Sequence, residues 1–463
     1  MWQNLASTQR RDEAASMLIE SATHAHQTLP FSEAERRVIR KTAWRLMPFI
    51  TLCYLVAYLD RSNLGVAALT MMSSLGMNAA QFGIAAGIYF WGYQLGEVPS
   101  NMAMVRFGAR LWICRIMVTW GIVAMATALT VGFKSLLVLR FVLGVAEAGF
   151  IPGIIYYLAL WFPAAYRARI FVSFLAAIPV AMILGSPISA ALLYLKGVAG
   201  LEGWQWLFLI EGLPAILLGI TCLFYLPDQP ADATWLSAEE KRMLIAIVER
   251  DRRNAGGDAH EAGRASILAA LRKPKLLAMI VVSFALASGS YGIVFFLPQI
   301  IAESGTSLLK NGFMSTLPFV FALVAMVAWG WHSDHANERR WHLALPLIMA
   351  AAAFAAAGLI DDPAWKLGMI VVAAVGTYSA MAPFWQGVPL LAGRGQVGAV
   401  VVALVSMIGS MSGFFSPAVM GYMKHSQGSY LGGFVWIAFF VGLGAVMSLT
   451  SLFKRDEGHV HVR

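Results

Sequence analysis

The 463-residue chain has little charge and almost no cysteine. Only 13% of its residues are Asp, Glu, Lys or Arg, where a soluble domain carries about 25%. A water-soluble globular fold is therefore excluded. The three cysteines, Cys53, Cys114 and Cys222, all fall in apolar stretches without CxxC spacing. They read as small core residues rather than a disulfide frame or a thiolate metal site. There is no HExxH, no GxSxG and no Cys/His ligand cluster, so nothing points to an enzyme, a metal or a cofactor. Gly409-Ser410-Met411-Ser412-Gly413 has its serines in the wrong places for a nucleophile elbow and reads as a helix-packing face. His332, His335, His459 and His461 are expected in loops or the tail, without a metal role. The opening residues are polar and charged, so no cleavable signal peptide is expected and the first membrane helix would serve for insertion.

Long apolar runs are abundant. They fall at about 44–69, 81–104, 111–131, 135–162, 168–195 and 204–226, then at about 276–302, 310–332, 341–360, 365–392, 396–423 and 430–453. Each is long enough to cross a bilayer, which takes about 20 residues. The expected architecture is an all-α membrane protein with twelve transmembrane helices and both termini cytoplasmic. Its parts would be a cytoplasmic N-terminal segment (1–43), a six-helix bundle (44–226), a cytoplasmic central loop (227–275), a second six-helix bundle (276–453) and a cytoplasmic tail (454–463). Ser32 and Glu35 form a capping-box pattern that would start a helix near Glu33. With this topology the inner segments, with the helix ends beside them, hold 27 of the 34 Lys and Arg residues. The outer loops hold five: Lys134, Lys196, Lys310, Lys366 and Lys424. That asymmetry follows the positive-inside rule. It accounts for the +9 net charge without any nucleic-acid partner. The halves repeat with an offset of about 230 residues, the parallel-repeat plan in which substrate binds near the midplane between two bundles.

The remaining two cations, Arg61 and Arg140, lie within membrane runs, as do four acids: Asp60, Glu97, Glu147 and Glu211. Charge inside a bilayer is expensive and is by default a functional feature. All six belong to the first half. Arg140 and Glu147 are seven residues apart, two turns on one helical face and about 10 Å along the axis. Gly144, Ala148 and Gly149 beside them are small enough for another helix, plausibly the one carrying Asp60 and Arg61, to approach closely. Arginine stays protonated and can clamp a carboxylate through two hydrogen bonds, while a buried carboxyl can take up and release a proton. Asp60 and Glu147 are thus the protonatable candidates, and Arg61 and Arg140 the coupling and anion-binding ones. The bland reading is an ion-pair network that only orients helices. Glu97 reads as a gating or helix-end residue, and Glu211 as a structural pair rather than a transport group. The second half offers a neutral lining instead: Tyr291, Phe295, Trp385, Ser406, Ser410 and Ser412, with Tyr89 a similar candidate in the first.

The segments Tyr58-Leu59-Asp60-Arg61-Ser62-Asn63, Glu97-Val98-Pro99-Ser100-Asn101, Arg140-Phe141-Val142-Leu143-Gly144-Val145-Ala146-Glu147-Ala148-Gly149 and Gly330-Trp331-His332-Ser333-Asp334 together resemble the anion:cation symporter family of the major facilitator superfamily. The resemblance spans nearly all twelve helices and omits the first forty residues or so. It implies a proton-driven importer of an organic carboxylate in the bacterial inner membrane, working by alternating access as a monomer in the lipid bilayer. It implies proton carriage by Asp60 and Glu147, coupling by Arg61 and Arg140, and a site lined by Tyr58 and Tyr89. It further implies an inner gate locked by the loop motif whose second copy keeps Gly330, Asp334, Arg339 and Arg340, with His335 and Asn337 as departures. The first copy keeps Arg106, Gly108 and Arg110 but has Val105 in the aspartate's place. Where relatives carry Asn-Ser-Ile-Gly-Asn in the eleventh helix, this chain has Ser406-Met407-Ile408-Gly409-Ser410. Loss of two carboxamides favours a less hydroxylated or aromatic acid over a sugar acid. The competing functions are an exchanger or facilitator of the same anions, and a non-transporting membrane sensor. A central loop this short, without a recognisable domain, weighs against the sensor.

Overall fold

The computed structural model describes residues 31–256, 273–336, 338–392 and 395–452. Most of the N-terminal segment, residues 257–272 of the central loop, Asn337 and the whole tail 454–463 lie outside the described residues. Among the described residues every regular element is a helix. They are α1 Glu33–Ser74, α2 Ala79–Phe107, α3 Ala109–Ala126, α4 Phe133–Glu147, α5 Phe150–Trp161, α6 Ala164–Leu192, α7 Gly203–Tyr225, α8 Ala238–Gly256, α9 Pro274–Ala302, α10 Leu308–Met314, α11 Leu317–Ala336, α12 Arg340–Leu359, α13 Pro363–Ala392, α14 Gly395–Ser410, α15 Ser412–Gln427 and α16 Leu431–Met447.

Eleven spans are long and apolar enough to cross a membrane by composition alone. The twelfth is α2, which is 29 residues long. Gln81, Gln94, Glu97, Ser100 and Asn101 dilute its hydropathy. The result is twelve spans in two six-helix halves, the fold anticipated from the apolar runs. An even number of crossings puts both ends of the described chain on one side.

Two expected boundaries change, while the expected capping box is present. The first helix starts at Glu33, ahead of the apolar run, because the Ser32 side chain accepts from Glu35 N while Glu35 accepts from Ser32 N. That capping box satisfies orphan amide groups and lets the helix extend beyond the bilayer. The fourth run is broken between α4 and α5 directly after Glu147. Ala148 leaves the helical region and Gly149 takes φ +85°, a left-handed conformation that a side chain resists. The eleventh run divides at Met411 into α14 and α15.

The halves meet closest on the outer side. α2 crosses α15 where Gly83 abuts Pro417 and Gly87 abuts Phe414; α1 meets α9 at Gly65 against Val294 and Phe295; α6 meets α10 at Gly312. On the inner side, Leu95, Val98 and Met102 of α2 and Ser406, Met407 and Ile408 of α14 are exposed. Among the described residues no salt bridge joins the halves at the inner face. The outer side is therefore closed by these helix crossings.

Candidate functional site

Asp60 and Arg61 are neighbours in sequence, and neighbours on a helix point about 100° apart. They consequently serve different partners. Arg61 turns toward α2 and α4. Its Nη2 pairs with Glu147 Oε1, and its Nε donates to the Tyr89 hydroxyl at 3.0 Å. The Tyr89 hydroxyl donates in turn to Glu147 Oε2 at 2.5 Å. Three side chains from three helices thus close a hydrogen-bonded ring. The Arg61 guanidinium also lies over the rings of Tyr58, Tyr89 and Tyr93 at 5.1, 5.4 and 5.5 Å, where cation–π attraction replaces part of its lost hydration.

The ring depends on how closely α2 and α4 approach. A methyl group at Gly144 would stand 2.1 Å from Tyr89 O and 2.8 Å from Tyr93 N, so only glycine permits this crossing. The break after Glu147 matters as well. Gly149 lies against Ser100, whose hydroxyl accepts from Trp112 Nε1 at 3.0 Å. A helix end left open within the membrane needs such neighbours, since lipid supplies no hydrogen bonds.

Arg140 is 1% exposed and also rests over the Tyr89 ring, 5.2 Å from its centroid. Its Nε and Nη2 have no hydrogen-bond acceptor. Asp60 is 3% exposed and accepts from Asn63 Nδ2 at 3.2 Å, while its Oδ2 has no partner. Asp60 and Arg140 stand within Coulomb reach of each other, with Trp120 of α3 beside Asp60. The expected cluster of two carboxylates and two guanidiniums is present, but only one of its ion pairs is closed. Arg140 retains unused donors.

The other expected residues are spread more widely. Tyr58 lies near Arg61 and packs on Tyr54. Tyr291 of α9 reaches the Arg61 side from the second half and packs against Phe90 at 4.6 Å. Phe295 and Ser412 are buried in helix contacts and Ser406 is exposed. Trp385 packs edge-on against Phe384 at 5.2 Å. Ser410 accepts a hydrogen bond from Gln94 Nε2, which also donates to Met407 O at 3.2 Å. Both bonds cross from the first half to the second. Glu97 is half-buried without an ion pair among them.

The residues expected to form an inner lock divide between the halves. Arg110 pairs with Asp228 at 3.2 Å, Arg106 lies over the Phe107 ring, and Arg340 Nη2 donates to Leu449 O at 2.6 Å. Asp334 is exposed, and Arg339 Nη1 is buried without an acceptor. His332, expected in a loop, sits inside α11 with its Nδ1 2.6 Å from His342 Nε2. Among the described residues no group of side chains could hold a metal ion.

Sequence reasoning passed over Tyr93, Gln94, Asn63, Trp120 and Tyr378. Three had a usable signal: Tyr93 is one turn from Tyr89, Asn63 is one turn from Asp60, and Gln94 is a carboxamide within a membrane run.

The sequence profile of the Major Facilitator Superfamily matches residues 50–417. The chain belongs to the major facilitator superfamily. It is 42% identical over 418 residues, 90% of this chain and 92% of the other, to an Agrobacterium vitis protein provisionally named a tartrate transporter. It is 35% identical over 418 residues to a quinolone resistance transporter of Acinetobacter baumannii, covering 89% and 94% of the two chains. Its fold superposes on a bacterial homologue of the human lysosomal transporter Spinster, solved inward-facing and unoccupied. That match has a TM-score of 0.68 at 19% identity and covers 90% and 97% of the two chains. This superfamily member is a multi-pass membrane protein and a secondary transporter of a small molecule, not an enzyme.

Proposed function

We propose that this protein is a proton-coupled symporter that imports an organic carboxylate across the bacterial cytoplasmic membrane. The observation that carries the reading is the Arg61–Glu147–Tyr89 ring beside an Arg140 with spare donors. While Glu147 is ionised it occupies Arg61 and competes with any substrate carboxylate. A proton on Glu147 ends the ion pair, and Arg61 becomes free to clamp an anion with its two parallel donors. Arg140, already short of acceptors, completes a cationic site. Proton and anion then load together, which keeps the cluster neutral as the halves rock. Asp60, within reach of Arg140, is the second protonatable group. Tyr58, Tyr89, Tyr291 and Ser410 line the space around the anion. The paired loop arginines Arg106, Arg110, Arg339 and Arg340, with Asp334, close the inner side when the halves rock the other way.

The substrate class is supported by the cationic pair and by the tartrate-transporter relative. Gln94 makes good, from α2, part of the carboxamide content missing from α14, so a hydroxylated diacid is as compatible as an aromatic acid. A second reading is exchange or export of an aromatic carboxylate. It draws on the quinolone-resistance relative, since quinolones carry a ring carboxylate.

The test is uptake of a labelled acid panel, including tartrate and aromatic acids, into proteoliposomes with and without an inward proton gradient. For the symporter, gradient-stimulated accumulation is lost in Asp60→Asn while substrate exchange persists. Uptake indifferent to gradient and substitution would refute proton coupling. Collapse of wild-type accumulation by a protonophore separates symport from facilitation.

A further inference from the structure

Glu211 has no task in the mechanism above, yet its surroundings are unusual for a structural acid. It lies eight residues inside α7, about 12 Å from the outer end of that helix. Ser189 of α6 donates its hydroxyl to Glu211 Oε1 at 2.6 Å. Oε2 is buried and has no partner. Immediately inward stands Asn63, fully buried, which is close enough to interact with Glu211 and donates Nδ2 to Asp60 Oδ1. Asn63 Oδ1 and Asp60 Oδ2 are likewise buried and unpaired. Ser189, Glu211, Asn63 and Asp60 thus form a line that descends from near the outer end of α6 to the charged cluster.

The groups facing Glu211 are few. α6 contributes Ser189 and α1 contributes Asn63 and, beyond it, Asp60; α3 brings Trp120 against Asp60. No lysine or arginine among the described residues pairs with Glu211. An ionised carboxylate there would be buried without a counter-ion, which a membrane interior penalises heavily. A protonated one carries no charge to desolvate, and beside it Asn63 Oδ1 is buried and unpaired while Asn63 Nδ2 serves Asp60.

We propose that Glu211 is the outer proton-carrying group of the coupled cycle, with Ser189 and Asn63 as positioning residues. This rests on the symport reading and adds the entry route. A proton from the outer solution joins the Glu211 carboxylate. It then leaves that oxygen for Asp60 Oδ2, which returns Glu211 to the ionised form for the next proton. Closure of the outer side at α2–α15 and α1–α9 shuts the substrate path while this narrow polar line stays available within the first half.

The experiment measures gradient-driven uptake against outside pH, and counterflow exchange without a gradient, for wild type, Glu211→Gln, Glu211→Asp and Ser189→Ala. Gln keeps the shape of Glu and can still accept from Ser189, so a merely structural acid would tolerate it. Glu211→Gln is expected to lose gradient-driven accumulation by roughly a hundredfold or more, the low end for a lost proton-transfer group, with exchange affected far less. Glu211→Asp restores part of the loss, and Ser189→Ala shifts the outside-pH midpoint. Infrared difference spectra on outside acidification show a carboxyl carbonyl band in wild type that Glu211→Gln lacks. A wild-type pH profile in Glu211→Gln, or a band that persists in it, overturns the relay. Should Glu211→Gln fail to assemble, an unchanged midpoint in Ser189→Ala overturns it equally. A wild type indifferent to the gradient would instead refute symport itself.

Discussion

The two halves share a helical plan and differ in what they bury. The first half encloses Asp60, Arg61, Arg140 and Glu147, each less than 9% exposed. The second half buries hydroxyls and rings instead: Ser283, Ser288, Ser290, Thr377, Ser379 and Tyr378, with Ser290 and Tyr378 bonded at 2.9 Å. A repeated backbone thus carries a charged switch on one side and a neutral wall on the other. Charge segregated in this way lets proton binding rearrange contacts within one bundle, between α1, α2 and α4. The other bundle moves against it without breaking any buried ion pair. If the division is real, substitutions on the charged side should damage both fold and transport, and matching ones on the neutral side transport alone.

The largest effect belongs to Arg61. Arg61→Met leaves Glu147 buried with Tyr89 as its remaining hydrogen-bond partner, and removal of one member of a buried pair costs about 3–5 kcal/mol. Melting of the purified protein in detergent should fall sharply. Arg61→Met combined with Glu147→Met removes the stranded charge and should recover most of that stability, yet transport should remain absent. Recovery of uptake in the double variant would show that the pair is structural and dispensable.

Two tyrosines sharpen the comparison at intermediate size. The Tyr89 hydroxyl accepts from Arg61 and donates to Glu147, so Tyr89→Phe strands two buried groups and should cost about 1–3 kcal/mol. It should also move the pH profile of uptake. Tyr291 approaches the same guanidinium from the second half without a structural ring of its own. Tyr291→Phe should leave the melting temperature nearly unchanged and weaken apparent substrate affinity by about 1 kcal/mol. Equal destabilisation by both would erase the distinction between switch and wall.

Most of this plan is legible in the sequence, for a physical reason: lipid tolerates only apolar helices, so runs and stray charges stand out against a uniform background. The twelve crossings, the asymmetry of Lys and Arg, and the inclusion of Asp60, Arg61, Arg140 and Glu147 all follow from that. Pairing does not. That Arg61 meets Glu147 rather than its neighbour Asp60 depends on the rotation of α1 against α2 and α4. The Gly144–Tyr89 contact sets that rotation from another helix. The break after Glu147 was hidden because Ala148-Gly149 is as apolar as its flanks. Gln94 was passed over because one carboxamide in a span does not reveal that it reaches Ser410, more than 300 positions away.

The smallest effect lies outside the membrane, where the same division recurs. The loop helix α8 is tied to the first half by Lys41–Glu240 at 2.7 Å, Arg250–Glu35 at 3.0 Å and Arg167–Asp251 at 3.7 Å. Leu244 and Ile247 are buried beneath it. α8 should accordingly travel with the charged bundle as the halves rock. The Lys41 hydrogen bond holds the Glu240 carboxyl below its usual range. Its contribution is therefore complete above the ordinary carboxylate value and disappears as pH falls through the lowered one. Exposed pairs of this kind are worth about 0–1 kcal/mol and weaken with salt. Lys41→Ala should speed amide hydrogen exchange in residues 238–256 slightly at neutral pH and low salt, and not at all at acid pH or high salt, because Leu244 and Ile247 continue to hold the helix. If Lys41→Ala frees α8 altogether, the ion pairs outweigh the apolar contact. The loop would then be an electrostatic strap that salt alone could release.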